Sequence, residues 1–355
     1  MSMVSEKGHI ILRTPRQGLA LRLPVWGMAA SALLVCGLVL LFAASMVIGS
    51  YDIDLPTLLA TLSGETVSKS IDNVVWQFRM PRALVAMLVG AMMACSGAAL
   101  QNVTGNSLAD PSLVGISQGA ALAVVSAIVV FPGLSPDVRP LLAFVGALCV
   151  AGLVQALSAG QRGPSPVRFI LIGIGLSAFI SSLTSAMLTY GNIDRVMSAL
   201  AWLAGGVNAA TWRDVFILST WSIVLLAVLL LLSRSMAALR MGEATAIGLG
   251  AEVRLVRLGL VAIGVGLAAV STAIVGPIGF VGLVAPHAAR RLAHTGPALH
   301  LVLTALCGAF LVAAADLIGR AAFAPIQLPA GLLTALLGVP VFIALLRRRS
   351  ARAQY

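Results

Sequence analysis

Long apolar runs, separated by short clusters of glycine, proline and polar residues, set the rhythm of this chain. The runs fall near 25–48, 82–103, 112–131, 140–159, 168–190, 212–232, 255–274, 278–293, 298–318 and 329–346. A helix needs about 20 apolar residues to cross a bilayer. Turn and breaker residues gather between them at Thr104–Pro111, Pro132–Pro140, Gly160–Pro166 and Phe323–Pro329. The pattern predicts an all-α polytopic membrane protein of about ten transmembrane helices. Residues 25–347 form one transmembrane domain, flanked by tails at 1–24 and 348–355.

One run does not behave like an ordinary span. IVGPIGFVGLVAPHAARR (274–291) holds three glycines and two prolines and ends on paired arginines. Pro277 and Pro286 lack a backbone donor. Unpaired backbone survives at membrane depth only where protein or a water-filled cavity surrounds it. This segment must therefore pack inside a bundle or line a cavity.

Composition agrees with the span reading: 59% of the 355 residues are hydrophobic and only 10% are charged, against about 25% charged in soluble domains. The net charge of +11 does not mark a nucleic-acid binder, because the basic residues punctuate the ends of apolar runs. With an inside N-terminus and ten spans, sixteen of the 23 Lys and Arg residues fall inside and seven outside. That bias fits the positive-inside rule and places both termini in the cytoplasm. The first run is too long for a signal h-region and reads as an uncleaved span. Cys36, Cys95, Cys149 and Cys307 are scattered in apolar runs and read as small hydrophobes.

Little here performs chemistry. Lys7 and Lys69 are the only lysines, and neither belongs to a GxxxxGK[ST] phosphate loop. No HExxH pairs any of the four histidines; His287 and His294, seven apart, read as packing or interfacial residues. Buried acids, the usual mark of ion-driven transport, are almost missing from mid-span. Asp316 is the nearest candidate, and Arg320 four residues on is placed to pair with it. The energy for any transport then comes from a partner. An ion-coupled secondary transporter is the weaker alternative.

Three features suggest where partners attach. In RMGEATAIGLGAEVRLVR (240–257), which overlaps an inside loop of about 234–254, Met241, Ala244 and Ile247 share one face of a short helix ended by Gly248 and Gly250. This is either a seat for another protein or an interfacial helix. Outside, Arg79 and Arg82 either dock carboxylates of a soluble protein or snorkel to headgroups. Small-residue segments 106–122 and 274–286 permit close helix approach. A faint echo links Arg79, Arg82 and Ser96 with Arg254, Arg257 and Ser271 at the same spacings, as an inverted repeat requires.

In order, RMPRALVAMLVGAMMACSGAALQ, NSLADPSLVGIS, GEATAIGLG, GPIGFVGLVAPHAARR, ADLIGR and LPAGLLTALLGVPVFIALL resemble the iron-siderophore, haem and cobalamin permeases, the FecCD-type family. The resemblance runs from about residue 30 to 347. It implies a permease of a type II ABC importer in the bacterial inner membrane, paired with a second permease subunit, identical or paralogous. Two cytoplasmic ATPase subunits and a periplasmic binding protein complete the assembly. ATP and Mg are then used by the ATPase, and this chain binds no cofactor or metal of its own. Carried over, Gly242, Glu243, Ala246, Leu249 and Gly250 couple to the ATPase, and Arg79, Arg82 and Arg320 dock the binding protein. Gly173, Gly175, Ser177, Ser181 and Ser182 with Gly331, Thr334 and Gly338 line the path. The segment 274–286 becomes scaffold. SALAWLAGGVNAATWRD (198–214) resembles ferric-siderophore permeases, with haem or cobalamin as the alternative cargo.

Overall fold

The computed structural model describes residues 2–6, 9–13, 20–49, 53–64, 68–160, 163–164, 166–323 and 326–350. Lys7, Arg16, Arg162 and Arg352 of the charge count, and the tail from 351 on, lie outside the described residues. Strands β1 (Ser2–Glu6), β2 (His9–Arg13) and β3 (Ala20–Pro24) form a small antiparallel ladder ahead of the first helix, α1 (Val25–Val47). Then come α2 (Leu55–Leu62), α3 (Lys69–Asn73), a π-helical turn at Val74–Arg79, and α4 (Met80–Thr104). A 3-10 turn at Pro111–Val114 leads into α5 (Ile116–Val129), followed by α6 (Arg139–Ser158) and α7 (Pro166–Tyr190). A second ladder of two-residue strands, β4 (Ala159–Gly160) and β5 (Gly163–Pro164), lies between α6 and α7. The remainder is α8 (Ile193–Leu203), α9 (Trp212–Leu231), α10 (Ser233–Arg240), α11 (Glu243–Gly248), α12 (Val253–Val275), α13 (Val281–Leu292), α14 (Pro297–Ala321) and α15 (Ala330–Ser350).

Among the described residues seven helices are long and apolar enough to span: α1, α4, α6, α7, α9, α12 and α14. The other three expected runs are shorter or interrupted. Run 112–131 begins as the 3-10 turn, because Asp110 caps Ser112 N at 2.9 Å and Gly115 then takes a left-handed φ of 88°. Run 278–293 is helical only over the 12 residues of α13, after Phe280 adopts a φ of 67°. In α15 the run carries Pro340 inside the helix. The stretch after α7, between two expected runs, forms α8, started by Asn192 accepting from Asp194 N at 3.0 Å.

α4 and α12 form the centre: 78% of the α4 span is buried and 72% of α12, against 11% of α1. Small residues let backbones touch there. A Cβ on Gly90 would lie 2.3 Å from Gly308 O of α14, and one on Gly97 2.0 Å from Gly282 O of α13. Ser96, fully buried, donates across to Gly264 O of α12 at 2.6 Å.

The echo in the sequence has a counterpart in architecture. α4, α5, α6 and α7 have 25, 14, 20 and 25 residues, and α12, α13, α14 and α15 have 23, 12, 25 and 21. The first helix of each set packs on the third helix of the other, α4 on α14 and α12 on α6. The serines do not act alike, since Ser271 donates within its own helix, to Leu267 O at 2.8 Å.

Candidate functional site

At the end of the bundle where α4 begins, arginines from the π-helical turn, α4 and α14 converge. Arg79 and Arg320 are each only 5% exposed. Arg79 Nη1 donates to the carbonyls of Met46 and, at 3.0 Å, Val47; Arg320 Nη2 donates to Ser45 O at 2.7 Å. These are last-turn carbonyls of α1, which have few partners within their own helix and attract cations. Arg82 grips Asp316 with two nitrogens, Nε to Oδ1 at 2.9 Å and Nη2 to Oδ1 at 2.8 Å, while its Nη1 donates to Gln327 Oε1 at 2.7 Å. Asp316 is therefore chiefly the partner of Arg82. Its contact with Arg320 Nε, the pair expected from spacing, is 3.9 Å. Burial sets Arg79 back both from headgroups and from direct contact with a soluble protein. Together with Gly49, Val74, Phe78, Asn208 and Gln327, the arginines line a cavity of about 270 Å³.

The opposite end carries the short helix α11. Gly242, with a φ of 106°, turns the chain into it, and Gly250, with a φ of 81°, turns it out. Ala246 is fully buried against Ala238 and Val253, so it pins the helix to the body and offers nothing outward. Glu243 sits in the first turn and pairs with Arg257 of α12 at 3.0 Å. Met241, Ile247 and Leu249 are at least 60% exposed. A Cβ on Gly242, Gly248 or Gly250 would meet nothing within 4 Å. Five expected coupling residues thus divide into two glycine hinges, a buried pin, a tether and one outward knob, Leu249.

The two expected path helices fare differently. On α7, Ser181 is exposed and lines a cavity of about 250 Å³ with Ser117, Gln118 and Thr184, while Gly175 and Ser182 are also exposed. Gly173 is buried, and Ser177 is half-buried beside Gly115 with an unpartnered Oγ. On α15 the expectation needs correcting. Gly331, Thr334 and Gly338 are all buried in the chain itself. Gly331 N donates to Gly205 O at 3.0 Å, and a Cβ on Gly338 would lie 2.8 Å from Phe280 Cβ. Their spacing puts all three on the packing face, leaving Leu332, Leu336 and Ile343 exposed. The same contacts account for 274–286. Gly276, with a φ of 76°, and Pro277 fill the junction between the α8–α9 loop and α15, and Gly206 N ties in by donating to Val275 O at 2.8 Å.

The turn between α4 and α5 closes the α11 end. Asp110 is buried and accepts from Ser112 Oγ at 2.5 Å. Burial pushes its carboxyl upward, opposed by the Ser112 bonds. Gln101 donates to Gly282 O at 3.1 Å and accepts from Arg290 at 3.1 Å, joining α4 to α13. Among the described residues, no three His, Cys, Asp or Glu side chains gather as a metal site would require.

A bundle of paired four-helix sets with an arginine cavity at one end and a projecting hinge helix at the other has a match. The FecCD transport family covers residues 37–348. The chain belongs to this family. Probable siderophore transport system permease protein YfhA of Bacillus subtilis is 39% identical over 79% of this chain and 83% of its own length. Ferric enterobactin transport system permease protein FepG of Escherichia coli is 37% identical over 86% and 91%. A solved chain, from an inward-facing metal-chelate type ABC transporter, superposes with a TM-score of 0.81 at 28% identity, covering 90% of this chain and 99% of that one. This FecCD member is thus a multi-pass membrane protein and a transport subunit of the ABC permease class.

Proposed function

We propose that this permease carries a ferric siderophore from periplasm to cytoplasm across the bacterial inner membrane, with both termini inside. Haem or cobalamin is the second reading, within the same family. The observation that carries the siderophore reading is its likeness over most of both chains to permeases named for siderophores, YfhA and FepG among them. The assembly comprises a second permease subunit, two ATPase subunits that use ATP and Mg, and a periplasmic binding protein. This chain contributes no cofactor.

Each end of the bundle has a task in this reading. Met241, Ile247 and Leu249 seat in the ATPase, while Gly242 and Gly250 fix the angle of α11 and the Glu243–Arg257 pair tethers it. At the other end, carboxylates of the binding protein meet the arginine cavity. Arg82 and Gln327 stand at its rim, and Arg79 and Arg320 supply positive charge from behind. The path runs along the exposed small and hydroxylic face of α7, where Ser181 sits. Beyond Arg168 in its first turn α7 carries no charged residue, which suits a conduit that must release cargo at each turnover.

The test is uptake of labelled ferric siderophores, haem and cobalamin by cells with and without the chain. Loss of one ferric-siderophore signal on deletion, restored by the wild type and not by Glu243→Arg, is the expected outcome. Loss of haem or cobalamin uptake alone would transfer the cargo to the second reading. Full uptake by Glu243→Arg would remove α11 from the coupling.

A further inference from the structure

Between α10 and the α13–α14 turn lies a cavity of about 450 Å³ that the transport reading touches only at Met241. Arg240, Arg290, His294 and His300 line it together with mainly apolar side chains, and no acid does. His300 is only 6% exposed, and its Nε2 has no hydrogen-bond partner among the described residues. Arg240 and Arg290 both lie within electrostatic reach of His300. Arg240 is exposed where it lines the cavity, and no ion pair among the described residues uses it. Pro297 begins α14 at the cavity edge, and the first-turn amides of that 25-residue helix add a partial positive charge.

The depth of the cavity identifies the occupant. Two of its lining residues, Met236 of α10 and Leu301 near the start of α14, are each 3% exposed and belong to the apolar core of the bundle. Beside it, the first turn of α1 packs on the α13–α14 turn and the start of α14: a Cβ on Gly27 would lie 2.5 Å from the Thr295 side chain and 2.8 Å from that of Leu299. The neighbouring Trp26 is 76% exposed. Exposed tryptophan at a span end marks the headgroup level. A basic pocket with an apolar floor at that level matches an anionic lipid. We propose that this cavity holds the phosphate of an anionic phospholipid from the leaflet on the α11 side, with Arg240, Arg290 and the His300 imidazole as its donors.

The experiment takes the full chain with its partner subunits into phosphatidylcholine nanodiscs, titrates phosphatidylglycerol, and counts retained lipid by native mass spectrometry. The wild type should retain phosphatidylglycerol, and Arg240→Gln should bind it about five-fold more weakly, the loss expected for one basic side chain near a membrane surface. Arg240→Lys should recover most of that loss. Ala237→Phe, which fills the cavity without changing charge, should reduce retention as much as Arg240→Gln. Equal retention by wild type, Arg240→Gln and Ala237→Phe would overturn the proposal. Inorganic phosphate binding with the same Arg240 dependence and no lipid retention would give the site to a soluble anion and also overturn it. Retention set by the presence of the ATPase, whatever stands at 240, would make the cavity an ATPase seat and overturn the lipid assignment too.

Discussion

Glycines in this protein do two opposite jobs, and the difference can be measured. Gly97 of α4 touches Gly282 of α13 backbone to backbone, so a methyl group there would lie 2.0 Å from a carbonyl oxygen. Gly97→Ala should destabilise the bundle by about 1–3 kcal/mol or more, read as a lower midpoint of thermal unfolding in detergent and less protein in the membrane. Gly248, in contrast, has open space around it. Gly248→Trp should leave membrane level and unfolding midpoint unchanged while abolishing uptake, because the added bulk enlarges the surface offered by α11. Normal uptake by that variant would contradict the coupling role. From the sequence both are glycines in small-residue stretches, and only the neighbouring backbone separates them.

At the scale of elements, the joint between α4, α14 and α1 is held by charge. Asp316 is 3% exposed and faces Arg82 and Arg320, with Arg79 close behind. Removing one member of a buried pair leaves uncompensated charge and costs about 3–5 kcal/mol. Asp316→Asn should therefore unfold well below the wild type, and Arg82→Gln combined with it should recover part of the loss. Additive losses in the double variant would mean that the pair is not coupled. Sequence reasoning found Asp316 and Arg320, four apart on one helix, but not the stronger link to Arg82, 234 residues away. Local spacing carries no information on such a contact. The scarcity of mid-span acid did carry some, because a lone carboxylate among apolar residues needs a cation from somewhere. The elements follow the same division. Long apolar runs were legible as α1, α4, α6, α7, α9, α12 and α14, whereas α8 was missed although Asn192 and the apolar spacing of Val196, Ala199 and Leu203 announce it. The path face of α15 was misread because glycine and threonine suit a conduit and a tight helix crossing equally well.

For the whole molecule, the contrast between centre and periphery organises everything else. α4 and α12 are enclosed, while α1, α6, α7 and α9 turn most of their apolar surface outward. Some of that surface meets lipid, and in the proposed assembly part of the α7 face meets the second permease subunit. Gln327→Glu should test the outer end of this arrangement, because it adds a carboxylate at the rim and leaves the Arg82–Asp316 pair in place. Capture of the loaded binding protein at low salt should fall about ten-fold, as when like charges meet across an interface. Unchanged capture would remove the rim from the docking surface. The attachment of α1 has a consequence in time. This helix leaves the ribosome long before α14, yet it packs chiefly on α14, and the guanidinium that closes over Ser45 O belongs to a residue 275 positions later. During synthesis α1 must wait in the bilayer, with its last carbonyls only partly satisfied, until nearly the whole chain has followed. A segment inserted early is locked late.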